Sequence, residues 1–169
     1  MTRYVAFLRA VNVGGTGKLP MSELRAMCES IGYTNVRTYI ASGNVVFDSR
    51  LNEASVKTRL EGCLESYAGK PVGVLVRTGA ELAAVLAGNP FTSAAPNRTV
   101  AIFLDAPPPA DTLTHVSGQQ EEEIALGTLE IYVHYGNGMA HTKLKIPAAK
   151  TGTARNMNTV ATLAEWAAT

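Results

Sequence analysis

Residues 3–48 read RYVAFLRAVNVGGTGKLPMSELRAMCESIGYTNVRTYIASGNVVFD, and this stretch decides the fold. Arg3 to Arg9 is a short run of β-formers, and the glycines of Asn12 to Lys18 free the backbone for a tight polar loop. Pro20 suits the first position of a helix whose apolar residues Leu24, Met27, Cys28 and Ile31 recur at helical spacing until Gly32. Val36 to Ile40 and Asn44 to Asp48 are β-rich runs separated by Ala41-Ser42-Gly43, the composition of a hairpin. Strand, helix and hairpin in this order open a βαββαβ unit.

Outward from that stretch, the unit completes itself. Asn52 is placed to cap a helix in which Val56, Leu60, Cys63, Leu64 and Tyr67 share one face up to Gly69. Pro71 and Val72 to Val76 supply a fourth strand. Thr78-Gly79-Ala80-Glu81 then has the spacing of a capping box, with Leu82, Val85 and Leu86 following on a third helix. Gly88 to Arg98 has few periodic apolar residues, and a boundary is placed at Asn97. Past it come a strand at Thr99 to Leu104, a short helical stretch to Val116, and a hairpin of Glu123 to Leu126 with Leu129 to Tyr135. A polar Gly- and Lys-rich stretch, Gly136 to Ala154, precedes a last helix carrying Val160, Leu163, Ala164, Trp166 and Ala167. No final strand is legible there. The expectation is an α+β protein of two ferredoxin-like (βαββαβ) subdomains packed as one compact unit, residues 1–97 with an extra helix and an approximate second copy at 98–169.

Composition narrows the function classes. The 169 residues carry 15 Lys and Arg against 14 Asp and Glu, so no overall field draws the chain to nucleic acid or to an anionic membrane. A chain this long buries roughly 70% of its unfolded surface and needs neither metal nor disulfide to fold. Cys28 and Cys63 each fall in the apolar stripe of their own helix, which reads as buried reduced thiols and a cytoplasmic location. No stretch approaches the roughly 18 apolar residues of a membrane helix, and the N-terminus lacks the pattern of a cleaved signal.

Connectivity indicates a site. In a βαββαβ unit the loop after the first strand and the hairpin between the second and third emerge at one end of the sheet. Arg9, Asn12, Gly14, Gly15, Lys18, Ser42 and Asn44 therefore converge beside the first helix, and cations, amides and freed N–H groups together suit a phosphate or carboxylate. Taken singly, each asparagine and Ser42 reads as a residue satisfying turn backbone. The glycine loop matches neither a P-loop nor G-x-G-x-x-G, so nucleotide hydrolysis is not expected. A second polar cluster, Lys143, Lys145, Lys150, Arg155, Asn156, Asn158 and Thr159, leads into the last helix, where an anion site and a capped, solvated helix start are equally good readings.

His134 and His141 have no third ligand at a recognisable spacing, so no metal and no cofactor are assigned. Glu121-Glu122-Glu123 reads as a solvated strand edge, and Ser42 lacks the elbow and the histidine of a nucleophile.

The residues Leu8 to Gly15, Lys18 to Met21 and Ser42 to Phe47 together resemble the bacterial family catalogued as domain of unknown function 1697. The resemblance continues through Asn89-Pro90-Phe91, through Gly138 with Lys143-Leu144, and through Thr153 to Val160. That last motif in the family usually carries tryptophan where this chain has Met157, which removes the aromatic surface a stacking role there would need. The resemblance implies two ferredoxin-like subdomains and a cytoplasmic protein, with no established activity or cofactor.

The leading functional expectation is binding of a small anionic or phosphorylated ligand at the polar end of the first sheet, with catalysis unassigned. The alternative is an interaction module for nucleic acid or a protein partner. The first-half strands lack the aromatic pair of sheet-based RNA readers, and charge is balanced, which ranks that alternative second.

Overall fold

The structure, a computed structural model, describes residues 1–12, 18–137 and 139–168. Its first six elements are β1 (Thr2–Leu8), α1 (Met21–Ser30), β2 (Thr34–Thr38), β3 (Asn44–Ser49), α2 (Glu53–Ala68) and β4 (Val74–Thr78). They form an antiparallel sheet of order β2-β3-β1-β4, the strand order of the ferredoxin-like plan. Period-two alternation sends Tyr4, Ala6 and Leu8 of β1, Phe47 of β3 and Val76 of β4 into one core. There they meet Leu24 and Cys28 of α1 and Val56, Leu60 and Leu64 of α2. Tyr33 stacks on Phe47 with centroids 4.4 Å apart, and its hydroxyl donates to the Val56 carbonyl at 2.9 Å.

The caps read from sequence are present. Asn52 Oδ1 accepts the Ser55 N–H at 2.9 Å. Ahead of α3 (Gly79–Ala87), the Thr78 N–H donates to Glu81 Oε1 at 2.8 Å and the Glu81 N–H to Thr78 Oγ1 at 3.1 Å. Two orphan donors are thereby satisfied reciprocally.

The second sheet comprises β5 (Thr99–Phe103), β6 (Glu123–Leu126), β7 (Glu130–His134) and β8 (Thr153–Asn156), and α4 (Met157–Ala167) follows it. Its order, β6-β7-β5-β8, repeats that of the first, again antiparallel throughout. β8 is the final strand that the sequence reading lacked. Thr153-Ala154-Arg155-Asn156 has no apolar alternation, and only its pairing along β5, from Phe103↔Thr153 to Val100↔Asn156, makes it a strand. Short 3-10 turns at Thr112–His115, Met139–His141 and Pro147–Ala149 connect the strands, so the second copy keeps the strand order and not the helices. Val100, Ile102, Ile131 and Val133 form its core with Leu144 and Ile146.

The two sheets end alike. Arg77 in β4 and Arg155 in β8 are both buried, and each donates from Nη1 to the carbonyl just before it, Val76 at 2.9 Å and Ala154 at 3.0 Å. Each is followed by a residue that caps the next helix, Thr78 for α3 and Asn156 for α4.

Compactness divides the chain into Met1–Leu82 with Leu163–Thr169, and Ala83–Thr162. The composition shift near Asn97 thus lies inside the second unit. There the Tyr132 hydroxyl of β7 donates to the Val85 carbonyl at 2.6 Å, and the Tyr135 N–H donates to the Arg98 carbonyl at 2.9 Å. Among the described residues no helix is long and apolar enough to cross a membrane.

Candidate functional site

Because β1 and β4 are antiparallel neighbours, the end of one lies beside the start of the other: Leu8 pairs with Val74, and the Arg9 N–H donates to the Gly73 carbonyl at 2.9 Å. The β1–α1 and α2–β4 connections therefore run side by side. Between them lies a cleft of about 420 Å³. The first connection contributes Arg9, Ala10, Val11, Lys18 and Leu19; the end of α2 and the second connection contribute Leu64, Tyr67, Ala68, Lys70, Pro71, Val72 and Gly73. Lys57 and Glu61 of α2 anchor the second wall. Lys57 Nζ donates to the Val74 carbonyl at 2.7 Å, and the Val74 N–H donates to Glu61 Oε2 at 3.0 Å.

Arg9 reaches the cleft by lying against bare backbone. A Cβ on Gly73 would stand 3.0 Å from Arg9 Cδ and 3.6 Å from Arg9 Nη1, so a side chain there would press on the arginine and shift it by a few tenths of an ångström. Arg9, Lys18 and Lys70 bring three cations to the lining, and no Asp or Glu is among its described residues. A concave surface of one sign focuses the field and raises the local concentration of anions. Buried Leu19 and Leu64, with Val72 and the half-exposed ring of Tyr67, make the rest of the wall apolar. Backbone strain borders the same end of the sheet. Ala10, Asn12 and Ile40 hold φ of 53°, 56° and 52°, a region that residues other than glycine rarely enter.

Of the residues expected at the site, Arg9 and Lys18 line the cleft. Asn12 and Asn44 bond to backbone beside it, and Ser42 Oγ accepts from the Asn44 side chain. Asn12 donates to the Leu19 and Ala41 carbonyls, both at 2.8 Å, and accepts the Leu19 N–H at 2.6 Å. Asn44 is fully buried and donates to the Tyr39 carbonyl at 2.8 Å and to Ser42 Oγ at 3.0 Å. These bonds close the hairpin, which begins earlier than expected: β2 ends at Thr38, and Ile40 belongs to the turn. Gly14 and Gly15 lie outside the described residues. Arg155 and Asn156 belong to the second unit. Burial lowers the Arg155 guanidinium to about 10, and Nη1 donates to Thr153 Oγ1 at 2.7 Å. Asn156 Oδ1 accepts the Thr159 N–H at 2.9 Å, the capped helix start that was one of the two readings of that cluster.

Sequence reasoning missed Tyr67, Lys70, Val72 and Gly73. The signal was available, since a fourth strand antiparallel to the first must begin where the first ends.

Other side chains singled out from sequence lie elsewhere. Cys28 is fully buried and its thiol is pushed up to about 12, chiefly by burial, with Cys63 and Glu29 adding to the shift. Cys63 is only partly buried, because it lines the open groove between α1 and α2 beside Met27 and Gly62. Trp166 lies under the Arg37 guanidinium, 3.5 Å from the ring centroid, with the Tyr39 ring meeting it edge-on at 5.2 Å. His134 Nδ1 is 3.1 Å from Thr99 Oγ1. Met157 is buried at the first position of α4.

The family model described as "Protein of unknown function (DUF1697)" matches residues 1–132. A solved structure titled as that of a conserved bacterial protein from Streptococcus pneumoniae is similar to this chain at 26% identity and a TM-score of 0.80, covering 97% of each chain. No protein with a curated description matches.

Proposed function

Because the chain belongs to the family described as Protein of unknown function (DUF1697), whose description assigns no activity, we propose a function from geometry: it binds a small anionic ligand, a phosphate or a carboxylate, in the cleft between the β1–α1 and α2–β4 connections. The observation that carries this reading is the convergence of Arg9, Lys18 and Lys70 on one cavity whose described lining holds no carboxylate. Side chains of one sign, drawn from two connections far apart in the chain, together favour an anionic guest. The cavity lies within the size range of small-molecule sites. Ala10, itself part of the lining, holds a positive φ, the kind of local strain that gathers at binding sites.

Calorimetric titration with phosphate monoesters and carboxylates tests this reading. Removing one charge-assisted contact costs roughly 1.5–3 kcal/mol, so Arg9→Ala should weaken binding by about one to two decades. Lys18 and Lys70 are exposed, and each alanine variant should lose less. Ligand-free melts separate binding from folding. If Arg9→Ala and the Lys18→Ala/Lys70→Ala double variant both kept the parent's affinity, the anion site would have to be abandoned.

A further inference from the structure

Resting on that reading, we infer that the ligand is amphipathic: an oxyanion joined directly to a compact apolar body such as an aryl ring, and neither a bare inorganic anion nor a sugar phosphate. The first argument is size. A water occupies about 30 Å³ of liquid, so the 420 Å³ cleft holds roughly a dozen waters, far more than one phosphate would displace. With only an inorganic anion bound, that water would remain against the half-buried Val72 and the half-exposed ring of Tyr67. A ligand that displaces it gains affinity from the apolar surface it covers, about fourfold for each methylene equivalent buried.

The second argument is the donor and acceptor inventory. Arg9, Lys18 and Lys70 donate hydrogen bonds and accept none. Tyr67 carries the one side-chain oxygen among the described lining residues, since all others are aliphatic, proline or glycine. Sugar hydroxyls entering this cleft would exchange water for main-chain carbonyls and the one Tyr67 hydroxyl as acceptors, and any hydroxyl left unpaired on burial is unfavourable. An aryl phosphate or aryl carboxylate has only acceptors at its head and nothing to satisfy at its body. Tyr67, half-exposed beside the cationic residues, is placed to cover a ring, and ring pairs favour offset or edge-on contact.

The test uses the full chain at constant ionic strength, titrated with inorganic phosphate, phenyl phosphate, glucose 6-phosphate and benzoate. Phenyl phosphate should bind at least tenfold more tightly than inorganic phosphate, and glucose 6-phosphate no more tightly than inorganic phosphate. Tyr67→Ala removes a partly exposed side chain, so it should fold normally, reduce the phenyl preference to under threefold and leave inorganic phosphate within twofold. Benzoate distinguishes the head groups: binding lost in both Arg9→Ala and Tyr67→Ala would assign carboxylates to the same site. Equal affinities for all the phosphates, each weakened by Arg9→Ala, would overturn the amphipathic ligand while leaving the anion site standing. A phenyl preference that survives Tyr67→Ala would also overturn it. If no probe bound, or Arg9→Ala changed none of them, the anion reading would fall as well.

Discussion

Replacing Gly43 by alanine should unfold the first unit more readily, and its two causes can be measured apart. Gly43 holds φ +90°, and a Cβ there would stand 2.8 Å from Val11 Cγ2 and 2.9 Å from Leu8 Cβ. Leu8 cannot yield: it is fully buried, and its N–H donates to the Gly43 carbonyl at 2.9 Å. A side chain forced into positive φ costs about 1–2 kcal/mol, and overpacking a filled site adds about 1–3 kcal/mol. The stiffer unfolded chain returns about 0.4–1 kcal/mol, so a net loss of about 1–4.6 kcal/mol is expected. For a chain of this length each kcal/mol moves the melting temperature by about 2–4 °C, giving a fall of about 2–18 °C. Gly32 is the control, with φ +93° and open space where its Cβ would stand, so Gly32→Ala should show the backbone contribution alone, about 1 kcal/mol. Urea unfolding followed by the fluorescence of Trp166, the chain's one tryptophan and part of the first unit, reports both variants. Equal midpoint shifts for the two would refute the steric argument, and a Gly43→Ala midpoint matching the parent would refute the hairpin assignment altogether.

The two thiols should differ in reactivity: in native protein at pH 8 an aromatic disulfide reagent should label Cys63 first, and Cys28, held near 12 by burial, only as the chain unfolds. Simultaneous labelling would contradict the burial of Cys28. A second expectation concerns acid. Arg3 donates to both Asp48 oxygens, at 2.9 and 3.1 Å, and Asn35 donates a third bond at 2.7 Å; the Arg3 bonds first, then Asn35, hold the carboxyl below its ordinary range. A depressed carboxylate stabilises the fold above its unfolded value of about 3.9, and that contribution fades as pH falls from there through the lower folded value. Asp48→Asn should therefore melt below the parent at pH 7, with the gap narrowing toward pH 3. A gap that stays constant across that range would rule out the ion pair as its cause.

Much of this molecule was decided within short stretches of its own sequence. The apolar stripes of α1 and α2, the Asn52 cap, the reciprocal Thr78 and Glu81 cap and the reversal at Gly43 depend on residues a few positions apart, where spacing and backbone preference suffice. Arg9 and Lys18 could be placed at one end of the sheet because strand order alone carries them there. What required the folded chain was pairing between distant segments. β8 has no apolar alternation and exists as a strand through its partner β5. The second wall of the cleft, with Tyr67 and Lys70, comes from the opposite side of β1, where β4 begins. Asn12, Ser42 and Asn44 have the chemistry of ligand-binding groups, and the amides of Asn12 and Asn44 bond to backbone that the fold brings beside them, with Ser42 Oγ accepting from Asn44. Residue type says what a polar side chain can bind, and tertiary proximity decides whether a turn or a ligand claims it.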